Sequence, residues 1–157
     1  MFAFTPQKQA QNEKERGNQE FKAKRYPSAI DAYCGALAIL SEGAQAGSVT
    51  LEKDGELLAQ LYSNSSAART AHGDLEGALD DAEQAIEVMP SWPKAYSRKG
   101  KSLFALKRYK EAAMAFSKGL EKTVDAAKVE SDKQQREIEA LRSQAGSQTD
   151  EYFRREK

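Results

Sequence analysis

The feature that most constrains this chain is a self-similarity at a spacing of 34 residues. Tyr62 and Tyr96 lie 34 apart, Ala112 follows Ala78 by 34, and Gly119 follows Ala85 by 34. Leu75 and Tyr109 hold the same relation, in the matching turns Gly73-Asp74-Leu75 and Lys107-Arg108-Tyr109. An earlier copy opens the chain: Gly17-Asn18, Phe21, Arg25-Tyr26, Ala29-Ile30, Tyr33 and Ala36. Ala29 precedes Ala78 by 49 residues, fifteen more than one period, and the surplus falls at about 41–56. There Gly and Ser punctuate a stretch without the repeat pattern, which reads as a longer inter-repeat loop with helix extensions on both sides.

A period of 34 belongs to stacked helix–turn–helix units of the tetratricopeptide type. Small residues at Ala29, Ala36, Ala78, Ala85 and Ala112 let paired helices approach. Phe21, Tyr33, Leu79, Ile86, Phe104 and Phe116 are expected to fill the gaps between them. No stretch alternates as a strand does. The pattern predicts six helices at roughly 7–23, 26–40, 53–72, 75–89, 92–105 and 109–121. Pro27 and Pro93 suit first turns, Ser91 suits a cap, and Gly73-Asp74 a break. After Lys122 the composition turns to Lys, Glu, Gln and Ala, with Val124, Ala127, Val129, Ile138 and Leu141 spaced for a seventh helix. The expected organisation is three repeats over 7–122, a capping helix over 123–142, and a tail over 143–157 that carries Tyr152-Phe153 and a basic end.

Composition narrows the function. The 24 Lys and Arg balance the 24 Asp and Glu, so the net charge is zero. General binding to nucleic acid or to an acidic membrane surface needs a basic excess. One Cys and one His give no support for a disulfide, a zinc site or a Cys–His catalytic pair. No apolar run approaches the ~20 residues of a membrane-spanning helix, and Met1–Ala10 lacks the features of a secretory signal. No nucleophile–base pair, phosphate loop or metal set emerges, so neither enzymatic activity nor a cofactor is expected.

The first helices of the three pairs carry a distinctive polar set. Lys14 and Asn18 stand four apart on the first, Asn64 lies on the second, and Lys94 and Arg98 stand four apart on the third. A spacing of four puts two side chains on one helix face. Asn64 to Lys94 is 30 residues, close to one period, which sets them at similar heights on neighbouring helices.

The stretches Asn12-Glu13-Lys14-Glu15-Arg16-Gly17-Asn18, Leu61-Tyr62-Ser63-Asn64 and Lys94-Ala95-Tyr96-Ser97-Arg98-Lys99 resemble the dicarboxylate-clamp tetratricopeptide-repeat (TPR) domains of chaperone-organising proteins. The likeness covers roughly 7–122. It implies an all-α fold of three repeats stacked as a right-handed superhelix, closed by a capping helix. It also implies a cytoplasmic adaptor in which Lys14, Asn18, Asn64, Lys94 and Arg98 hold the final Asp of a Glu-Glu-Val-Asp tail; a monomer is expected. Such tails belong to heat-shock chaperones of the seventy- and ninety-kilodalton classes. The chemistry suits that role: two ammonium groups and a guanidinium supply charge, and two amides add donors. The insert at 41–56 departs from the family's compact spacing. The competing expectation is a scaffold that binds an internal peptide or a folded partner.

The remaining polar and aromatic residues have structural readings. Cys34 reads as a packed thiol, and His72 as a partner of a helix C-terminus. Trp92 is expected at a repeat junction, and Tyr62 and Tyr96 within the stack. Glu76, Asp80, Asp81 and Glu83 read as a solvated acidic face.

Overall fold

A computed structural model of the protein describes residues 4–155, with side chains described through Ala140 and at Ser143. The elements are α1 (Pro6–Lys22), α2 (Tyr26–Gln45), α3 (Leu51–His72), α4 (Leu75–Val88), α5 (Pro93–Ala105) and α6 (Tyr109–Arg155). There is no strand among the described residues.

The repeat is written into the backbone of the turns. Lys24, Gly73 and Lys107 adopt positive φ of 59°, 98° and 62°. Each is the left-handed residue that ends the first helix of a pair. At each turn the next N–H returns to a carbonyl one helical turn back: Arg25 to Glu20 at 2.9 Å, Asp74 to Arg69 at 3.0 Å and Arg108 to Leu103 at 2.9 Å. This is the Schellman closure, which satisfies carbonyls the helix leaves unpaired. Helix starts are capped by Thr5, whose Oγ1 accepts from Lys8 N at 3.2 Å, and by Asp74, whose Oδ1 accepts from Gly77 N at 3.2 Å. At α5 the N-cap is Trp92 rather than Ser91, with Pro93 in the first turn.

Within each pair the helices pack antiparallel, and the first helices also pack on one another, α1 on α3 and α3 on α5. Those three form the inner wall. Close approach is bought with small residues. A Cβ on Gly17 would meet the Tyr33 ring at 2.5 Å, and one on Gly100 would meet Phe116 at 2.6 Å. The first core gathers Ala10, Ala29, Tyr33, Ala36, Leu40, Val49, Leu61 and Ala68; the second holds Leu79, Leu103, Ala112 and Ala115. Phe104 and Phe116 do not fill an interior as expected. Phe104 is 60% exposed, edge-on to Tyr109, and Phe116 is 40% exposed. They occupy the places in the last repeat that Phe21 and Tyr33 hold in the first, but the second repeat packs over those earlier residues.

The insert is mostly helix. α2 runs on to Gln45 and α3 begins at Leu51, leaving only 46–50 between them. Gly43 is buried where Val49 and Pro6 press against it, so it serves packing rather than a chain break. Gln7 Nε2 donates to Ser48 O at 2.8 Å and to Asp54 Oδ2 at 3.4 Å, and Thr50 N donates to Asp54 Oδ2 at 2.9 Å. Asp54 is buried by these contacts. The extension is thereby tied to the start of α1.

The stretch 123–142, expected as a separate helix, is helical but continues α6 without a break. No Gly or Pro lies between Leu120 and Leu141 to interrupt it. Val124, Val129 and Ile138 are exposed. The side chains of Leu141, Tyr152 and Phe153 lie outside the described residues. Residues 1–122 and 123–157 form two units.

A candidate carboxylate-binding groove

On the inner wall, α1, α3 and α5 bring Asn18, Asn64 and Arg98 into one cleft of ≈ 200 Å³, shared with Phe21, Lys22, Tyr33 and Ala67. The floor is built from the Gly17–Tyr33 contact. With no side chain at Gly17, the Tyr33 ring lies flat against α1, and its hydroxyl donates to Asn18 Oδ1 at 2.7 Å. Asn64 Nδ2 donates to the same oxygen at 3.1 Å. Burial pushes the Tyr33 phenol up to about 12, so at neutral pH it is a donor. With Oδ1 accepting from both neighbours, the Asn18 amide has one orientation, and its two N–H groups are left for a ligand.

Arg98 reaches the cleft from α5. Its Nε donates to the buried Ser63 Oγ at 3.4 Å. Burial lowers its guanidinium from the ordinary value, an effect the Tyr33 phenol opposes; it remains cationic, as arginine does in proteins. A second hollow of ≈ 170 Å³ is lined by Glu56, Gln60, Met89 and Trp92, two of which contact Lys14 and Lys94. Lys14 Nζ donates to Gln60 Oε1 at 2.7 Å, and Lys94 Nζ lies 5.7 Å from the centre of the Trp92 ring. Burial, with repulsion from Arg98 and Lys101, holds the Lys94 ammonium below the usual lysine range.

Among the described residues, none of Lys14, Lys94 and Arg98 forms an ion pair. Other cations do find acids. Arg69 pairs with Asp74 and with Asp81, and Lys99 with Glu83 at 2.8 Å. Three cations outside any ion pair and two oriented amides thus share the inner wall, and the nearby Glu56 carboxylate accepts from Gln60 Nε2 instead. A desolvated cation without a counter-charge is costly, and a ligand carboxylate relieves that cost.

All five sequence-predicted positions lie on α1, α3 and α5; Asn18, Asn64 and Arg98 share the first cleft, and Lys14 and Lys94 contact Gln60 and Trp92 outside it. Sequence reasoning missed the functional placement of Tyr33, Gln60, Ser63 and Trp92. The signal for Tyr33 was present in Gly17, whose lack of a side chain beside Asn18 leaves room for a ring. Two other readings change. Cys34 is exposed, not packed, because it lies one step round α2 from the buried Tyr33; Arg69 Nη2 approaches its sulfur at 3.7 Å. Asp81 is not solvated: it accepts from Ser65 Oγ at 2.6 Å and Arg69 Nε at 2.9 Å, and burial raises its pKa against the pull of those two partners. Glu76 and Asp80 are exposed as read. His72 ends α3 as expected. Among the described residues, no three metal-binding side chains cluster, and no helix is long and apolar enough to cross a membrane.

Three helical hairpins with a polar inner groove define a repeat module built for binding peptides or proteins. No family model matches the chain. It is 36% identical over 111 residues to Hsp70-Hsp90 organizing protein 3 of Arabidopsis thaliana, covering 71% of this chain and 17% of that protein. The Sgt2 TPR domain from Aspergillus fumigatus superposes with a TM-score of 0.61 at 34% identity, covering 83% of this chain and 79% of that one. The second TPR domain of human RPAP3, solved in complex with the HSP70 peptide SGPTIEEVD, superposes with a TM-score of 0.62 at 30% identity, covering 74% of this chain and 85% of that one. The chain belongs to the tetratricopeptide-repeat family of co-chaperone domains. It spans less than a third of the length of the curated relatives it matches.

Proposed function

We propose that this chain is a cytoplasmic chaperone-docking module. It binds the free C-terminus of acidic tails ending Glu-Glu-Val-Asp, on heat-shock chaperones of the 70 and 90 kDa classes, and acts by binding rather than catalysis. The observation that carries the reading is that Arg98 shares one cleft with the oriented amides of Asn18 and Asn64, with Lys14 and Lys94 on the same inner wall and none of the three cations in an ion pair. A terminal Asp brings two carboxylates to such a site. Arg98 has the fork to take one through two parallel hydrogen bonds, and the lysines act as point charges. Each charge-assisted hydrogen bond contributes ~1.5–3 kcal/mol, so losing one costs roughly tenfold or more in affinity. The peptide held by the RPAP3 domain ends Ile-Glu-Glu-Val-Asp, which has the same chemistry. The protein is expected to act as a monomer.

The test is a titration with fluorescein-labelled Met-Glu-Glu-Val-Asp, read by anisotropy, beside the same peptide with an amidated end. Binding near the micromolar range is expected, about −8 kcal/mol at 1 μM, weakening as salt rises. Amidation, Lys14→Ala or Arg98→Ala is expected to remove most of it. Equal binding of acid and amide, or no binding of either, refutes the carboxylate reading and favours a scaffold that takes internal segments or folded partners.

A further inference from the structure

Two of the residues that line the second hollow, Gln60 and Trp92, each hold a clamp cation. Gln60, on α3, accepts from Lys14 Nζ at 2.7 Å and donates through Nε2 to Glu56 Oε1 at 3.1 Å. Its amide is therefore oriented at both ends, with the oxygen committed to the ammonium. Trp92 lines the same hollow, and Lys94 Nζ lies over its ring, 5.7 Å from the centre, within cation–π range. Trp92 is itself fixed: it is the N-cap of α5, followed by Pro93, with its N–H bonded to Met89 O at 3.1 Å. Lys and Arg near one another otherwise repel, and a free lysine side chain carries ~2 kcal/mol of rotamer entropy to be lost on binding.

We infer that Gln60 and Trp92 are positioning residues of the clamp: each holds one of the two ammonium groups at a neutral partner beside the hollow, ready for a carboxylate. Neither touches the ligand in this arrangement. Gln60 gives Lys14 a neutral acceptor, which fixes it without cancelling its charge as a carboxylate would. Trp92 does the same for Lys94 through the negative face of its ring. The inference rests on the proposed carboxylate reading and adds to it the pre-orientation of both lysines. Trp92 is also the single tryptophan of the chain. Its emission reports on Lys94, because drawing the ammonium towards a ligand changes the charge over the ring.

Four substitutions test this with unlabelled and labelled Met-Glu-Glu-Val-Asp. Trp92→Leu is expected to weaken binding about three- to tenfold, whereas Trp92→Phe, which keeps an aromatic face, retains most of the affinity. Gln60→Ala is expected to weaken binding about three-fold. Gln60→Glu, which has the same shape, is expected to weaken it further because it traps Lys14 in an ion pair, and added salt narrows the gap between the two Gln60 variants. A merely structural role for Gln60 predicts the reverse order. In the wild type, Trp92 emission is expected to change with the acid peptide and not with the amide. Circular dichroism and urea unfolding establish that each variant is folded. If Arg98→Ala abolishes binding while Trp92→Leu and both Gln60 variants bind as the wild type does, the positioning role is overturned and the carboxylate reading stands. If the wild type ignores the acid peptide, the carboxylate reading fails and this inference falls with it.

Discussion

Replacing Tyr33 with Phe separates its hydroxyl from its packing. The ring is almost fully buried against Gly17, so Phe keeps the contact and removes one hydrogen bond, the 2.7 Å donation to Asn18 Oδ1. A net loss of about 1 kcal/mol in stability at pH 7 is expected. Asn18 then keeps Asn64 as its one donor and its amide is free to turn, so affinity for the acid peptide is expected to drop about three- to tenfold, part of a single charge-assisted hydrogen bond. Alkali supplies an independent check. Burial raises the Tyr33 phenol from 10.0 to about 12 in the folded protein. A group raised on folding contributes stability below its unfolded pKa and loses it as pH climbs through the folded one. The wild type therefore loses up to about 2 kcal/mol between pH 10 and pH 12 that Tyr33→Phe does not. Urea unfolding of both proteins across that range reads the difference, with the lysines cancelling between them. The two stability curves are expected to converge and cross above pH 10. A constant offset, or peptide affinity unchanged in Tyr33→Phe, refutes the claim that this phenol orients the clamp amide.

Two further outcomes follow from the backbone. Gly17→Ala puts a methyl 2.5–2.9 Å from three atoms of the Tyr33 ring; although Ala favours helix by about 1 kcal/mol, the clash is expected to cost about 1–3 kcal/mol net in urea unfolding and to weaken the acid peptide as well. Lys107→Gly relieves a left-handed residue at φ 62°. The strain of about 1–2 kcal/mol, less the added freedom of the unfolded chain, leaves a gain of about 0.5–1 kcal/mol, visible in calorimetry as a rise of about 2 °C in Tm.

The helices were legible because their signals are local and repeated. The 34-residue spacing, the Ala positions at the contacts and Gly73 each act through a near neighbour, and all reappear in the fold. That Asn18, Asn64 and Arg98 would meet in one cleft was legible for a related reason: spacing along a helix fixes the face, and the family resemblance pointed to the helices. What escaped depends on three-dimensional neighbours. Gly43 carries the same letter as a chain-breaking glycine, and only the presence of Val49 and Pro6 against it makes it a packing residue. Asp81 looks like its exposed neighbours until Ser65 and Arg69 arrive from another helix. Phe104 and Phe116 have the apolar character of Phe21 and Tyr33, but burial also requires a following repeat. Gln60 and Trp92 carry no motif, since their partners Lys14 and Lys94 are met across helices or across a turn.

The open face of the last repeat changes how the clamp acts on the whole array. In a stack where each unit leans on its neighbours, the first pair is bolted by the Gln7–Ser48 and Gln7–Asp54 bonds, while the third ends in half-exposed aromatic rings. Opening is therefore expected to begin at α5 and α6, with their amides exchanging with solvent ahead of those in α1 and α2 in hydrogen-exchange measurements. In the proposed complex the ligand's two carboxylates engage Lys14 and Asn18 at the sturdy end and Lys94 and Arg98 at the weak one. A bound tail is then a clasp thrown across the array, and its stabilisation is delivered to the end of the protein that most lacks it.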